Sequence, residues 1–168
     1  GLVVHADETE KVNTLINHIQ AYLYQKREWN PKWENAFTPA LCNRIDRNTG
    51  GIVIAAKNAE TLRIINEKIR LREIDKRYLC ITVGRPKPPE GRIECFLLKD
   101  EQKKQVAVYH RPVPGGKTAV TDYRTLESRG ELSLVEVGLE TGRTHQIRAS
   151  FADLGCPLLG DGKYGRGD

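Results

Sequence analysis

An acid between two arginines stands just before a Gly-Gly turn, in the segment Asn43-Arg-Ile-Asp46-Arg-Asn-Thr-Gly-Gly51. Its last four residues are turn formers, because glycine tolerates positive φ and Asn and Thr can bond their own backbone. The apolar run over residues 52–56 then predicts a buried strand. Asp46 is therefore expected in a rigid loop at a strand end, where catalytic groups are often displayed. The alternative is that Asp46 and Asn48 only shape a turn.

A second group of polar residues, Gly142-Arg-Thr-His145-Gln-Ile-Arg148, predicts the start of a short helix that ends near Gly155. The apolar stripe of this helix consists of Ile147, Phe151 and Leu154. His145 and Arg148 are three residues apart, so they lie on neighbouring faces away from that stripe. Cations at a helix start gain nothing from the helix dipole. Arg143 and Arg148 are therefore better explained by an anionic partner, either a carboxylate or a phosphate.

Two further helices are expected in the first half of the chain. Asp7 and Glu10 have capping-box spacing and precede apolar residues at helical intervals, which predicts a helix over roughly residues 8–24. Asn58 is the expected N-cap of the next helix, whose apolar face consists of Leu62, Ile65 and Ile69. Residues 25–40 between them predict a loop, whose two tryptophans either pack it down or contact a partner.

Strands dominate the second half of the chain. Residues 77–83 alternate with period two, so Leu79, Ile81 and Val83 share one face and Tyr78, Cys80 and Thr82 the other. The Tyr78 ring is thus predicted to point away from the most hydrophobic side. Further strands are predicted at residues 93–98, 118–125 and 132–139, with a polar hairpin tip at 99–105. Many strands with two or three helices predict an α+β fold with a mostly antiparallel sheet.

Composition narrows the class of partner. The 168 residues are enough for one domain, and the net charge of +5 with local basic segments at 99–104 and 143–148 favours nucleic acid. No apolar run approaches the ~20 residues that span a bilayer, so no membrane partner is expected. The four cysteines are scattered without a CxxC pair, which argues against zinc. A reducing cytoplasm is the expected compartment.

Taken together, the motifs resemble the RluA family of pseudouridine synthases. Asn43–Gly51, Lys76-Arg-Tyr78, Gly142–Arg148 and the closing stretch Gly155–Tyr164 occur in that family's order and spacing over nearly the whole chain. The resemblance implies a catalytic core with a mixed, largely antiparallel sheet flanked by a few helices. It also implies isomerisation of uridine in structured RNA, with ribosomal RNA expected before transfer RNA, without a cofactor or metal. We expect a monomer.

The resemblance also assigns roles to individual residues. Asp46 matches the catalytic aspartate, Tyr78 the tyrosine that stacks on the target base, and Arg148 the arginine that pairs with the aspartate. Arg44 matches the arginine that enters the duplex when the base is flipped. The remaining expected substrate-binding residues are Asn43, Arg143 and His145, although a structural hydrogen-bonding role suits His145 better than acid–base chemistry. Asn43 and Gly50 depart from the family's frequent histidine and serine, which puts RNA contacts at Asn43 in doubt.

The isomerisation breaks the N1–C1′ bond, rotates uracil and forms a C5–C1′ bond. A carboxylate can capture or assist the cationic sugar, or abstract a proton to start an elimination, and the sequence does not choose between these routes. Residues 1–168 are expected to form a single catalytic domain truncated at both ends, without the family's S4 domain. The alternatives are a non-catalytic RNA-binding module of the same fold and an aspartate-dependent nucleoside or glycoside hydrolase, with Asp122 or Asp161 as second acid.

Overall fold

The computed structural model describes residues 1–165 of the chain. The chain divides into two compact units, Gly1–Ile74 and Asp75–Asp168. Three helices and seven strands make up the described elements, and five of the strands form one sheet in which every pairing is antiparallel. The α+β prediction is confirmed. None of the helices within residues 1–165 is long and apolar enough to cross a membrane.

The first unit contains two helices and one short strand pair. Helix α1 spans Leu15–Gln25, strands β1 (Ala40–Leu41) and β2 (Ala55–Ala56) pair antiparallel, and helix α2 spans Ala59–Arg70. Asn58 caps α2 as predicted, because its side chain accepts a hydrogen bond from the Thr61 amide at 2.8 Å. The predicted apolar face of α2 is also confirmed, since Leu62, Ile65 and Ile69 are its least exposed positions.

Two predictions for the first unit are wrong in their extent. The first helix begins at Leu15, with Thr14 as its N-cap, rather than near residue 8. Asp7 and Glu10 instead accept hydrogen bonds from amides two and three residues ahead, which closes two turns before the helix. The predicted strand over residues 52–56 is reduced to β2, and Ile52 is 85% exposed. Beyond β2 the Ile54 carbonyl still accepts from the Cys42 amide at 2.8 Å, but the side chain of Asn43 then takes the place of a neighbouring strand at the Ile54 amide and the Ile52 carbonyl.

The second unit is built on a five-stranded sheet in the order β3-β7-β6-β4-β5. Its strands are β3 (Lys76–Val83), β4 (Glu90–Asp100), β5 (Gln105–Tyr109), β6 (Lys117–Arg129) and β7 (Leu132–Leu139). The predicted hairpin tip joins β4 to β5, a strand that the sequence did not indicate. Helix α3 (Gln146–Asp153) covers one face of the sheet, where Phe151 packs on Tyr123, Val135 and Val137.

The predicted facing of β3 is reversed. Its alternation is present, but Leu79 is 66% exposed while Thr82 is fully buried. Tyr78 and Cys80 pack against the cluster beneath α3, so the ring of Tyr78 faces the core of this unit and not away from it. The reason is that α3 covers this face of the sheet. Which face of an edge strand is buried depends on the covering helix more than on the strand's own hydrophobicity.

Candidate active site

The loop of residues 43–51 in the first unit is closed by the side chain of Asn43. Its Oδ1 accepts from the Ile54 amide at 2.8 Å, and its Nδ2 donates to the Ile52 carbonyl at 3.2 Å. Both ends of the amide group are therefore used to hold the backbone that enters and leaves the loop. At the far end, Gly51 has φ of 140°, a conformation that side chains with a Cβ rarely adopt.

Asp46 lies half-buried inside this loop. Its carbonyl accepts from the Thr49 amide at 2.9 Å, which closes a tight turn over residues 46–49, two positions before the turn predicted at 48–51, so Asp46 itself begins the turn. The next residue, Arg47, donates to Asp7 at 3.0 Å and to the Thr9 hydroxyl at 2.6 Å. Arg44 is exposed. Burial of the His5 imidazole lowers its pKa, and the charge of Arg44 lowers that pKa further. The loop thus presents a carboxylate and an exposed arginine two residues apart.

Tyr78 is half-buried on β3, opposite Val137 of β7. Burial raises the pKa of the Cys80 thiol, two residues further on the same strand face, to about 12. The surroundings of Cys80 on this face are therefore partly shielded from water, and Lys76, Tyr78 and Cys80 itself are half-buried. The Tyr78 ring packs against the apolar cluster beneath α3, while tyrosine also carries a polar hydroxyl group. Tyrosines that combine apolar packing with a polar group are common at binding surfaces.

Arg148 on α3 is held by an acid that the role assignments did not include. Its Nε and Nη2 donate to the two carboxylate oxygens of Asp161 at 2.7 and 2.9 Å. The side chain of Asp161 is only 4% exposed and that of Arg148 25%. Mainly through the Arg148 bond, the pKa of Asp161 is lowered to about 2, and the amides of Lys163 and Tyr164 bond the same carboxylate. The guanidinium is consequently fixed in plane and direction.

Tyr164 completes this arrangement. The Arg148 guanidinium lies 5.2 Å from the centroid of its ring, within the range of a cation–π contact. The Tyr164 hydroxyl accepts from the Val106 amide and lies 2.8 Å from His145 Nδ1. His145 itself stands at the N-cap of α3 with φ of 53°, an uncommon conformation for a residue with a Cβ. We call Arg148, Asp161, Tyr164 and His145 the arginine network.

Gln146 holds the loop before α3 to the sheet, a role that the sequence did not reveal. Its side chain is 2% exposed and fully bonded. The amide nitrogen donates to the Val120 carbonyl and the Thr121 hydroxyl, while the oxygen accepts from Thr141 and from the Arg143 amide. A buried polar side chain with every group satisfied fixes a local geometry. The only available signal was its place inside the Gly142–Arg148 motif.

The predicted second acids do not have the environment of an acid catalyst. A glycosidase acid needs a raised pKa, whereas that of Asp161 is lowered to about 2 by its arginine partner. Asp122 lies on the sheet face opposite Tyr78, and both of its oxygens bond to Arg92 at 3.3 Å. Over the described residues, no three His, Cys, Asp or Glu side chains are grouped so that they could hold a metal ion.

The structure thus places the predicted residues in two groups. Asn43, Arg44 and Asp46 share one loop of the first unit. In the second unit, Arg148 and His145 share the arginine network, Tyr78 lies on the strand face beneath α3, and Arg143 donates to the Thr118 carbonyl at 2.9 Å. The pairing of Asp46 with Arg148 stays a prediction.

Comparison with known proteins identifies the family. The profile described as RNA pseudouridylate synthase matches residues 1–153. Ribosomal large subunit pseudouridine synthase D of Borreliella burgdorferi is 36% identical over 166 residues, which is 99% of this chain and 48% of that protein. The chloroplastic RNA pseudouridine synthase 2 of Arabidopsis thaliana is 39% identical over 132 residues, covering 76% of this chain and 31% of that protein.

A solved structure agrees with these sequence relatives. Human RNA Pseudouridylate Synthase Domain Containing 4 superposes with a TM-score of 0.76 and 27% identity, over 100% of this chain and 64% of that one. The chain spans about half the length of the curated relatives that it matches over nearly all of its own residues. The resemblance carried by the motifs is confirmed, and the chain belongs to the RNA pseudouridylate synthase family.

Proposed function

We propose that this chain isomerises uridine in structured RNA to pseudouridine, acting as a single catalytic domain in the cytoplasm. The observation that supports this most is that one family profile spans residues 1–153 and therefore contains Asp46, Tyr78 and Arg148. Relatives named ribosomal large subunit pseudouridine synthase support ribosomal RNA as the substrate.

In this proposal Asp46 carries the chemistry at the sugar. Its carboxylate either adds to or assists the cationic C1′, or takes a proton to begin elimination. In either route N1–C1′ breaks, uracil turns, C5–C1′ forms, and the proton on C5 leaves while N1 gains one. Arg148 stabilises the charged form of Asp46 and orients it, because a nearby guanidinium cation favours the ionised form of a carboxyl group. The bidentate Asp161 bonds support this role, since they fix the direction of the guanidinium.

The remaining residues act on the RNA. Tyr78 offers a flat face for the extruded uracil and a hydroxyl that can help to move the C5 proton. Arg44, which is exposed on the Asp46 loop, fills the gap that the extruded base leaves in the stack. Asn43 keeps the loop closed rather than contacting RNA, because both of its amide atoms already bond the backbone. His145 positions Tyr164.

A tritium-release assay tests this function. RNA that carries tritium at C5 of uridine is incubated with the protein, and both released tritium and free uracil are measured. Pseudouridine formation releases tritium into water without free uracil, because C5 exchanges its hydrogen for C1′. A hydrolase would release labelled uracil, and a binding module would release neither. Either of these two results would overturn the proposal.

A further inference from the structure

Lys76 begins β3 and lies half-buried on the same strand face as Tyr78. Its ammonium approaches the backbone of the next motif so closely that a Cβ on Gly142 would lie 3.0 Å from Nζ. Burial lowers the pKa of Lys76, and the nearby charge of Arg143 lowers it further. The Lys76 ammonium is thus partly dehydrated and lies beside Gly142, the neighbour in sequence of Arg143, and the charge of Arg143 acts on it.

No carboxylate in the second unit, over residues 75–165, forms an ion pair with either cation. Asp122 on β6 and Glu140, the residue that follows β7, bond to Arg92 instead. Arg143 is further restrained because its Nε donates to the Thr118 carbonyl. Like charges without an acid partner among residues 75–165 raise the free energy of this unit and produce a local positive potential. Such an arrangement is stabilised when an anion binds.

We propose that Lys76 and Arg143 together bind a phosphodiester group of the RNA beside the target uridine. The inference rests on the proposed function and names a contact within its substrate site. A guanidinium fork and an ammonium point charge are the two side-chain groups that bind phosphate most readily. Lys76 stands two residues from Tyr78, about 7 Å along the strand, so a base stacked on Tyr78 has its own backbone within reach of the two cations.

Salt dependence of RNA binding tests this contact. The affinity of the full chain for a fluorescent uridine-containing stem-loop is measured by anisotropy over a series of KCl concentrations. Each phosphate contact contributes about 0.7–0.9 to the slope of log K against log salt. Because the two cations share one phosphate, we expect Lys76→Gln and Arg143→Gln each to reduce the slope by up to that amount, and the double variant to reduce it by about the same amount and not by twice as much.

Two controls accompany these variants. Lys76→Arg keeps the charge and is expected to keep the wild-type slope. Arg129→Gln removes an exposed cation at the opposite end of the sheet, where Arg129 bonds Glu127, and is also expected to leave the slope unchanged. Arg143 is exposed, so its variant keeps the test valid even where Lys76→Gln fails to fold.

The same preparations are assayed for tritium release. An unchanged slope in both single variants overturns the phosphate contact, and it leaves the proposed function standing when the wild type releases tritium. Conversely, a wild type that binds RNA without releasing tritium overturns the proposed function, while a reduced slope in the variants still supports the contact. A wild type that binds no RNA overturns both.

Discussion

The loop that carries Asp46 and the network that holds Arg148 are stabilised by different kinds of interaction. The loop depends on hydrogen bonds of Asn43 and on the pair between Arg47 and Asp7, whose side chains are 43% and 44% exposed. In the arginine network, the Asp161 carboxylate is 4% exposed. A group that stabilises developing charge must be oriented before the reaction. The comparison therefore indicates that the Arg148 guanidinium is held by a largely buried bond, whereas the loop that carries Asp46 is held by partly exposed interactions.

The largest difference between the two regions is expected in stability. Asp161→Ala removes one member of a largely buried ion pair, and the free energy of unfolding should fall by about 3–5 kcal/mol. Arg47→Ala is the matched control, because its pair with Asp7 is exposed to solvent and therefore contributes little to stability. Urea unfolding followed by circular dichroism measures both, since urea does not screen charges. Equal losses in the two variants would contradict the comparison.

A smaller effect is expected at Tyr78, where the sequence and the structure disagreed about the strand face. Tyr78→Phe keeps the stacking surface, whereas Tyr78→Ala removes it, so the alanine variant should bind the RNA more weakly by about 1–3 kcal/mol. Anisotropy with a target-containing stem-loop measures the difference. Because the ring packs on the core cluster, unfolding of each variant is measured in parallel. Equal RNA affinities of the two variants would mean that the ring serves only the core.

The smallest effect is expected in acid unfolding, where the contribution of Asp161 can be compared with that of Asp7. Both have pKa values lowered to about 2, Asp161 mainly by Arg148 and Asp7 mainly by the Thr9 hydroxyl. A carboxyl group whose pKa is lower in the folded than in the unfolded state stabilises the fold at pH values above its unfolded-state pKa. For Asp161 this contribution is lost as the pH falls from about 4 to about 2.

The stability difference between wild type and Asp161→Asn should therefore shrink as the solution is acidified through that range. Asp7→Asn should change the acid transition less, because the Asp7 bonds are exposed to solvent. Unfolding free energies measured at a series of pH values compare the two. A larger pH-dependent change for Asp7→Asn would reverse the ranking of the two regions.

Sequence reasoning succeeded where the determining interactions are local. The Asn58 cap and the bounds of β7 follow from neighbouring residues, and so does Gly155, whose φ is 83° at the end of α3. Sequence reasoning failed where the burial or the partner of a residue depends on an element that is distant in the sequence. The burial of Tyr78 depends on α3, and the pairing of Arg148 with Asp161 depends on a turn that brings together residues 13 positions apart.

The candidate site likewise contains residues that the sequence could indicate and residues whose roles depend on distant contacts. The motifs and the family resemblance predicted Asp46, Arg148 and His145 as site residues, and these roles stay predictions. The acid, tyrosine and glutamine that hold the second motif in place could not be assigned from the sequence. Their roles depend on side-chain hydrogen bonds that no periodicity reveals. Asp161 shows this most clearly, because its place in the sequence was equally compatible with acid catalysis and with holding an arginine.

Replacement of Asp46 by asparagine tests the central claim most directly. Asp46→Asn keeps the size of the side chain and removes its charge, so the loop should stay folded and RNA binding should persist. Single-turnover tritium release should fall at least about a thousandfold, which corresponds to about 4 kcal/mol of barrier. A variant whose rate stays within about tenfold of the wild type, or ~1.4 kcal/mol, would contradict the assignment of Asp46 as the catalytic carboxylate.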